Sequence, residues 1–165
     1  MNAFKTLCMI GALSTVVGST AQAAPSDACA LLTTDELAVI VGAPMDAGVP
    51  ILPTHKEYCS FHESGKAAGS GRNAALSILT EQQFTLGKTP VGKIEKTPES
   101  GVGDEAYWSK AKGMVYILTF RKGSTYLRVQ SRTNPKPFAT ANTPALDEQD
   151  KAADRKLAAA ILKKL

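Results

Sequence analysis

The sequence predicts an α/β fold of the α+β kind, an antiparallel sheet packed against an N-terminal and a C-terminal helix. Three observations carry this. Residues 114–121 (MVYILTFR) and 124–132 (STYLRVQSR) are rich in β-branched and aromatic residues on either side of Lys122-Gly123, the pattern of a β-hairpin. LLTTDELAVIVGAP, starting at Leu31, carries helix start and stop signals around an apolar side. Residues 143–165 carry a second apolar stripe at helical spacing.

Residues 1–23, MNAFKTLCMIGALSTVVGSTAQA, combine a charged start at Lys5, an apolar run over 6–17 and small residues at Ala21 and Ala23. That is the form of a signal peptide cleaved before Ala24. A membrane anchor needs about twenty apolar residues, and Gly11, Ser14, Thr15, Gly18, Ser19 and Thr20 interrupt this run. Cys8 lies inside the apolar run, so lipidation there would leave no working signal. The expectation is a single disulfide-bridged domain over residues 24–165, periplasmic or secreted, with no transmembrane helix. Outside the signal only Cys29 and Cys59 remain, and in an oxidising compartment they should pair.

The first helix opens on Thr33 with Glu36 three residues on, the form of a capping box, and Gly42 and Pro44 stop it. Leu37, Ile40 and Val41 make its apolar side. Residues 47–53 are expected to be a connector, EYCSFH a short strand, and GKAAGSGRN (65–73) a turn too rich in glycine to pack. AALSILT (74–80) is a strand by alternation. GKTPVGKIEKTPESGVGD (87–104) is expected to be irregular and to deliver the chain to AYWSK. In the hairpin, Met114, Tyr116, Leu118 and Phe120 should share one face, and Leu127 and Val129 should oppose Tyr126, Arg128 and Gln130. The last helix starts near Thr143 with Pro144 at its first position. Asp147, Glu148 and Asp150 lie early in it and Lys163 and Lys164 late, an order that complements the helix dipole. Ala153, Leu157, Ala160 and Ile161 form its apolar stripe.

Motifs for catalysis are sparse. GVGDEAYW (101–108) lacks the third glycine and helix of a dinucleotide fingerprint and the Lys of a phosphate loop. Its adjacent acids, Asp104 and Glu105, also lack the alternating oxygen ligands of a calcium loop, so it is expected to be a turn entering a strand. HKEYCSFHE (55–63) gathers His55, His62, Glu57, Cys59 and Glu63, but on a strand the two histidines face opposite ways. No nucleophile elbow is present, and a bridged cysteine leaves no thiolate. No catalytic residue, metal ligand or cofactor is therefore expected.

Charge is placed unevenly. Residues 106–146 hold no Asp or Glu but carry Lys110, Lys112, Arg121, Lys122, Arg128, Arg132 and Lys136. One consequence is a solvated edge that resists aggregation. The other is a face for an anionic partner, built from Arg121, Lys122, Tyr126, Arg128 and Arg132, with Trp108 beside them. Nucleic acid is a poor candidate for an exported chain without a recognisable binding module.

Cys29 with Leu31, Leu32 and Thr33, Glu36 with Gly42, Cys59 with Phe61, and Gly101, Gly103, Asp104 and Ala106 together span most of residues 24–165. In these words the chain resembles a family of small exported bacterial domains of unknown function, many of them actinobacterial lipoproteins. The resemblance implies a PsbP-like sandwich, joined near its first helix by the two cysteines, and it brings no catalytic residues. The chain departs from many members in having no lipidation cysteine at the cleavage point and Phe61 where Trp is common. The function expected is that of a non-enzymatic binding protein of the bacterial envelope, whose basic hairpin meets an anionic envelope component or an acidic protein surface. Two other classes stay open: a carrier of a small apolar ligand between sheet and helix, and a hydrolase or metalloenzyme.

Overall fold

The computed structural model describes residues 24–67, 69–135 and 143–165; the signal peptide read at 1–23 and Lys136 of the basic segment lie outside them. The chain enters through a 3-10 turn, Ala28–Ala30, whose Cys29 is disulfide-bonded to Cys59. Helix α1 follows as Thr34–Val41. Its capping box is formed: Thr33 Oγ1 accepts from the Glu36 amide at 3.2 Å, and Glu36 Oε2 accepts from the Thr33 amide at 2.8 Å. Gly42, in the left-handed region at φ +79°, ends it.

Seven strands follow, β1 (Val49–Leu52), β2 (His55–His62), β3 (Asn73–Leu79), β4 (Ile94–Glu99), β5 (Glu105–Ala111), β6 (Ile117–Lys122) and β7 (Thr125–Arg132). They make one sheet in the order β1-β2-β3-β7-β6-β5-β4, every neighbouring pair antiparallel. Helix α2 (Glu81–Lys88) lies between β3 and β4 in the chain, and α3 (Pro144–Leu162) comes last. The fold is thus α+β with an antiparallel sheet, as the hairpin and helix signals predict.

Four elements depart from expectation. β1 and β4 occupy stretches expected to be connecting chain, and both are edge strands carrying a proline, Pro50 and Pro98, which an edge tolerates because no neighbour needs the missing N–H. α2 takes up residues to which no element was assigned. The first hairpin strand also begins later than expected, at Ile117, because Met114 closes a turn onto the Ala111 carbonyl at 3.0 Å.

Cross-strand register sorts the side chains onto two faces. Trp108 pairs with Leu118, Leu118 with Val129, Val129 with Leu76 and Leu76 with Cys59. These residues are buried, with Leu37 of α1 and Leu157, Ala158 and Ile161 of α3 in the same core. The alternate positions, Tyr107, Thr119, Arg128, Ser77 and Tyr58, form a second row on the opposite side. Among the described residues α2 covers one end of that side: Phe84 sits between the rings of Tyr107 and Tyr126, at centroid distances of 5.6 and 5.3 Å. No helix among the described residues is long and apolar enough to cross a membrane.

Candidate functional site

The hairpin turn spends its charge locally. Gly103 places Asp104 and Glu105 beside it: the Asp104 amide donates to the Arg121 carbonyl at 2.9 Å, and Asp104 Oδ2 accepts from the Gly123 amide at 2.7 Å. Lys122 Nζ lies 3.0 Å from Asp104 and Arg121 Nε 3.1 Å from Glu105. The Gly123 amide, then Lys122, hold the Asp104 carboxyl below its usual range. Lys88, then Arg121, do the same for Glu105. GVGDEAYW is a turn into a strand, and its two acids neutralise the hairpin tip.

Two further residues expected on the exposed basic face are not part of it, Trp108 by its side of the sheet and Arg132 by burial. Trp108 is not beside Tyr126 and Arg128 but on the other side of the sheet, 2% exposed, because its neighbour Tyr107 takes the outward position and successive strand residues alternate. Its indole N–H donates to Glu99 at 2.5 Å, and Arg155 and Lys151 of α3 lie over its ring at 5.4 Å each. Arg132 shares a side with Arg128 but is only 6% exposed and is engaged by other groups.

Tyr126 and Arg128 remain, and the structure adds Lys96 to them. Tyr126 is half-buried against Phe84. Arg128 is half-buried, makes no ion pair among the described residues, and its buried Nε has no hydrogen-bond partner. The hydroxyl of Thr119, paired with Arg128 across β6 and β7, is also buried without a partner. Lys96, on β4, sits over the Tyr107 ring at 5.2 Å and has no ion pair among the described residues. Burial first, and the Arg128 charge second, make its ammonium easier to deprotonate than that of an ordinary lysine. Beside it lies a cleft of about 330 Å³ lined by Lys88, Pro90, Lys96, Thr97, Pro98, Glu105, Ala106 and Tyr107. Sequence reasoning missed Lys96 because β4 was not expected. Only its register opposite Ser109, two residues from Tyr107, places it on the same side of the sheet as Arg128.

The histidines behave as strand alternation requires. His55 Nδ1 is 2.6 Å from Glu57 Oε1 and His62 Nε2 3.0 Å from Ser60 Oγ, each within its own side of β2. Among the described residues no three His, Cys, Asp or Glu side chains converge.

On the core side α3 buries Asp147, Asp150 and Asp154. Asp147 pairs with Lys110, and Asp150 accepts from the amide and hydroxyl of Thr133 at 2.8 and 2.6 Å. Asp154 is fully buried, and among the described residues neither carboxyl oxygen meets a donor in full hydrogen-bond geometry: Ser131 is close enough to favour its charged form, but the Ser131 hydroxyl turns to the Asp150 carbonyl at 3.3 Å.

Comparison with family models, curated proteins and solved structures finds no match to this chain.

Proposed function

We propose that the protein is a non-enzymatic, exported binding protein of the bacterial envelope, periplasmic or secreted, which holds an anionic group on the α2 side of its sheet. The observation that carries this is the pair Arg128 and Lys96, two half-buried cations on one face of the sheet, neither in an ion pair among the described residues and near enough that the charge of Arg128 acts on Lys96. Like charges destabilise each other, and a buried N–H without an acceptor costs about 1–3 kcal/mol. An anion that bridges the two would relieve both costs. The disulfide supports export, since such bonds persist in oxidising compartments.

The test uses anionic phospholipid vesicles and a phosphate- or carboxylate-bearing envelope polymer, offered to the purified protein at low and high salt. Binding to one of them should fall with salt and weaken about tenfold or more in Lys96→Gln with Arg128→Gln. Arg121→Gln, whose partner is Glu105, should bind like the wild type. Unaltered binding by the double variant would refute the assignment.

A further inference from the structure

Lys96 differs from the other cationic group in its cleft. Lys88 is held at 2.8 Å by Glu105, which is itself shared with Arg121. Lys96 lies half-buried over the Tyr107 ring, on the same face of the sheet as Arg128, and opens onto walls formed by Pro90, Pro98 and Tyr107. A cleft of about 330 Å³ is at the small end of ligand sites. A half-buried amine that feels a second cation and has no ion pair among the described residues is the arrangement that activates lysine as a nucleophile.

We propose that Lys96 is a reactive amine that captures small anionic aldehydes or ketones as an imine, with the ligand's carboxylate or phosphate directed to Arg128. This rests on reading the α2 side as an anion site. In the step, the neutral Nζ adds to the carbonyl carbon, forming the C–N bond while the carbonyl π pair moves to oxygen. Oxygen takes up a proton and the nitrogen releases one to solvent. Loss of the hydroxyl as water then gives the C=N bond. One water is released, nothing is oxidised or reduced, and hydrolysis returns the ligand unchanged. The ease with which Lys96 sheds its proton favours the neutral amine that the step needs.

Pyridoxal 5′-phosphate, as an anionic probe, and pyridoxal, its analogue without the phosphate, are trapped with borohydride at less than one equivalent, and the labelled lysines are mapped by mass spectrometry. Pyridoxal 5′-phosphate should label Lys96 about tenfold or more faster than the exposed Lys93 and Lys112. Lys96→Arg should lose the fast phase but keep anion binding, and Arg128→Gln should slow the phosphorylated probe to the rate of pyridoxal. Labelling of Lys96 no faster than Lys93 and Lys112 overturns the reactive amine while leaving the anion site to its own test. Fast labelling at equal rates by both probes overturns the direction of the anion to Arg128.

Discussion

At the scale of single residues, two close approaches decide local structure. Gly103 adopts φ +61° with the Arg121 carbonyl 2.3 Å from where a Cβ would sit, so the turn that brings Asp104 and Glu105 to the hairpin needs glycine there. Gly87 of α2 leaves room for the Tyr107 hydroxyl, which would lie 2.3 Å from an added Cβ and donates to the Phe84 carbonyl at 3.3 Å. Gly87→Ala should therefore destabilise the protein, although alanine favours a helix by about 1 kcal/mol. Tyr107→Phe alone should cost about 1 kcal/mol through the lost hydrogen bond. The two together should be more stable than their separate effects predict, by about 1 kcal/mol or more in a double-mutant cycle of urea unfolding. Additive effects would show that the hydroxyl does not set the height of α2 above the sheet. Asp154 gives a pH prediction at the same scale. Burial pushes its carboxyl well above the usual range, with Asp150 adding to the shift and Ser131 and Arg155 opposing it. Its folded form keeps the proton when the unfolded chain has lost it. Stability is therefore fully present below the unfolded value of about 3.9, and falls by up to about 1.4 kcal/mol per pH unit as pH rises toward the folded value. Asp154→Asn should raise the thermal midpoint at pH 7 and flatten that decline, measured by melting the two proteins from pH 4 to 8. A parallel decline in the variant would place the burden on another group. Glu99 works in the opposite window: Arg155, then Trp108, hold its carboxyl low, so its contribution is present above about pH 4.3 and is lost as acid carries it through the lower folded value.

At the scale of elements, what the sequence revealed and what it hid follow from where each element's energy comes from. α1, β7 and α3 were legible because their signals are local: the capping box at Thr33 and Glu36, Pro144 behind Thr143, and Leu127 and Val129 alternating with Arg128. β1 and β4 gain their backbone bonds from a single neighbour, and their prolines read as breaks. α2 carried a usable signal, Thr80 with Gln83, whose reciprocal bonds are 3.1 and 2.8 Å, but its one buried residue, Phe84, makes no stripe. The candidate site was half legible for the same reason. Arg128 and Tyr126 follow from alternation in β7, whereas Lys96 depends on β4 and the exclusion of Trp108 on the parity of β5. The acids of α3 illustrate another limit: Asp147 and Asp150 suit the dipole of the helix N-terminus, yet they and Asp154 point inward, which helix periodicity allows but composition argues against.

At the scale of the whole molecule, the sheet has two arms. β1, β2 and β3 meet β6, β5 and β4 through the single pairing of β3 with β7, and α3 lies across β6 and β7. α1 packs on α3, and the 3-10 turn before it reaches β2 and β3. The Cys29–Cys59 bond therefore ties the helical layer to the arm that α3 does not hold, across 30 residues of chain. On the loop-entropy account, a ring of this length contributes roughly 3–4 kcal/mol by restricting the unfolded chain. Cys29→Ala with Cys59→Ala should lose about that much in urea unfolding, with a steeper dependence on denaturant because the freed unfolded chain exposes more surface. Topology adds where the loss appears. Amide exchange should quicken first in β1 and β2, while β6, β7 and α3 keep protection near the global limit. Uniform loss of protection would show that the arms open as one unit, and an unchanged urea midpoint would leave the buried Leu31 and Leu32 as what holds the helical layer to the sheet.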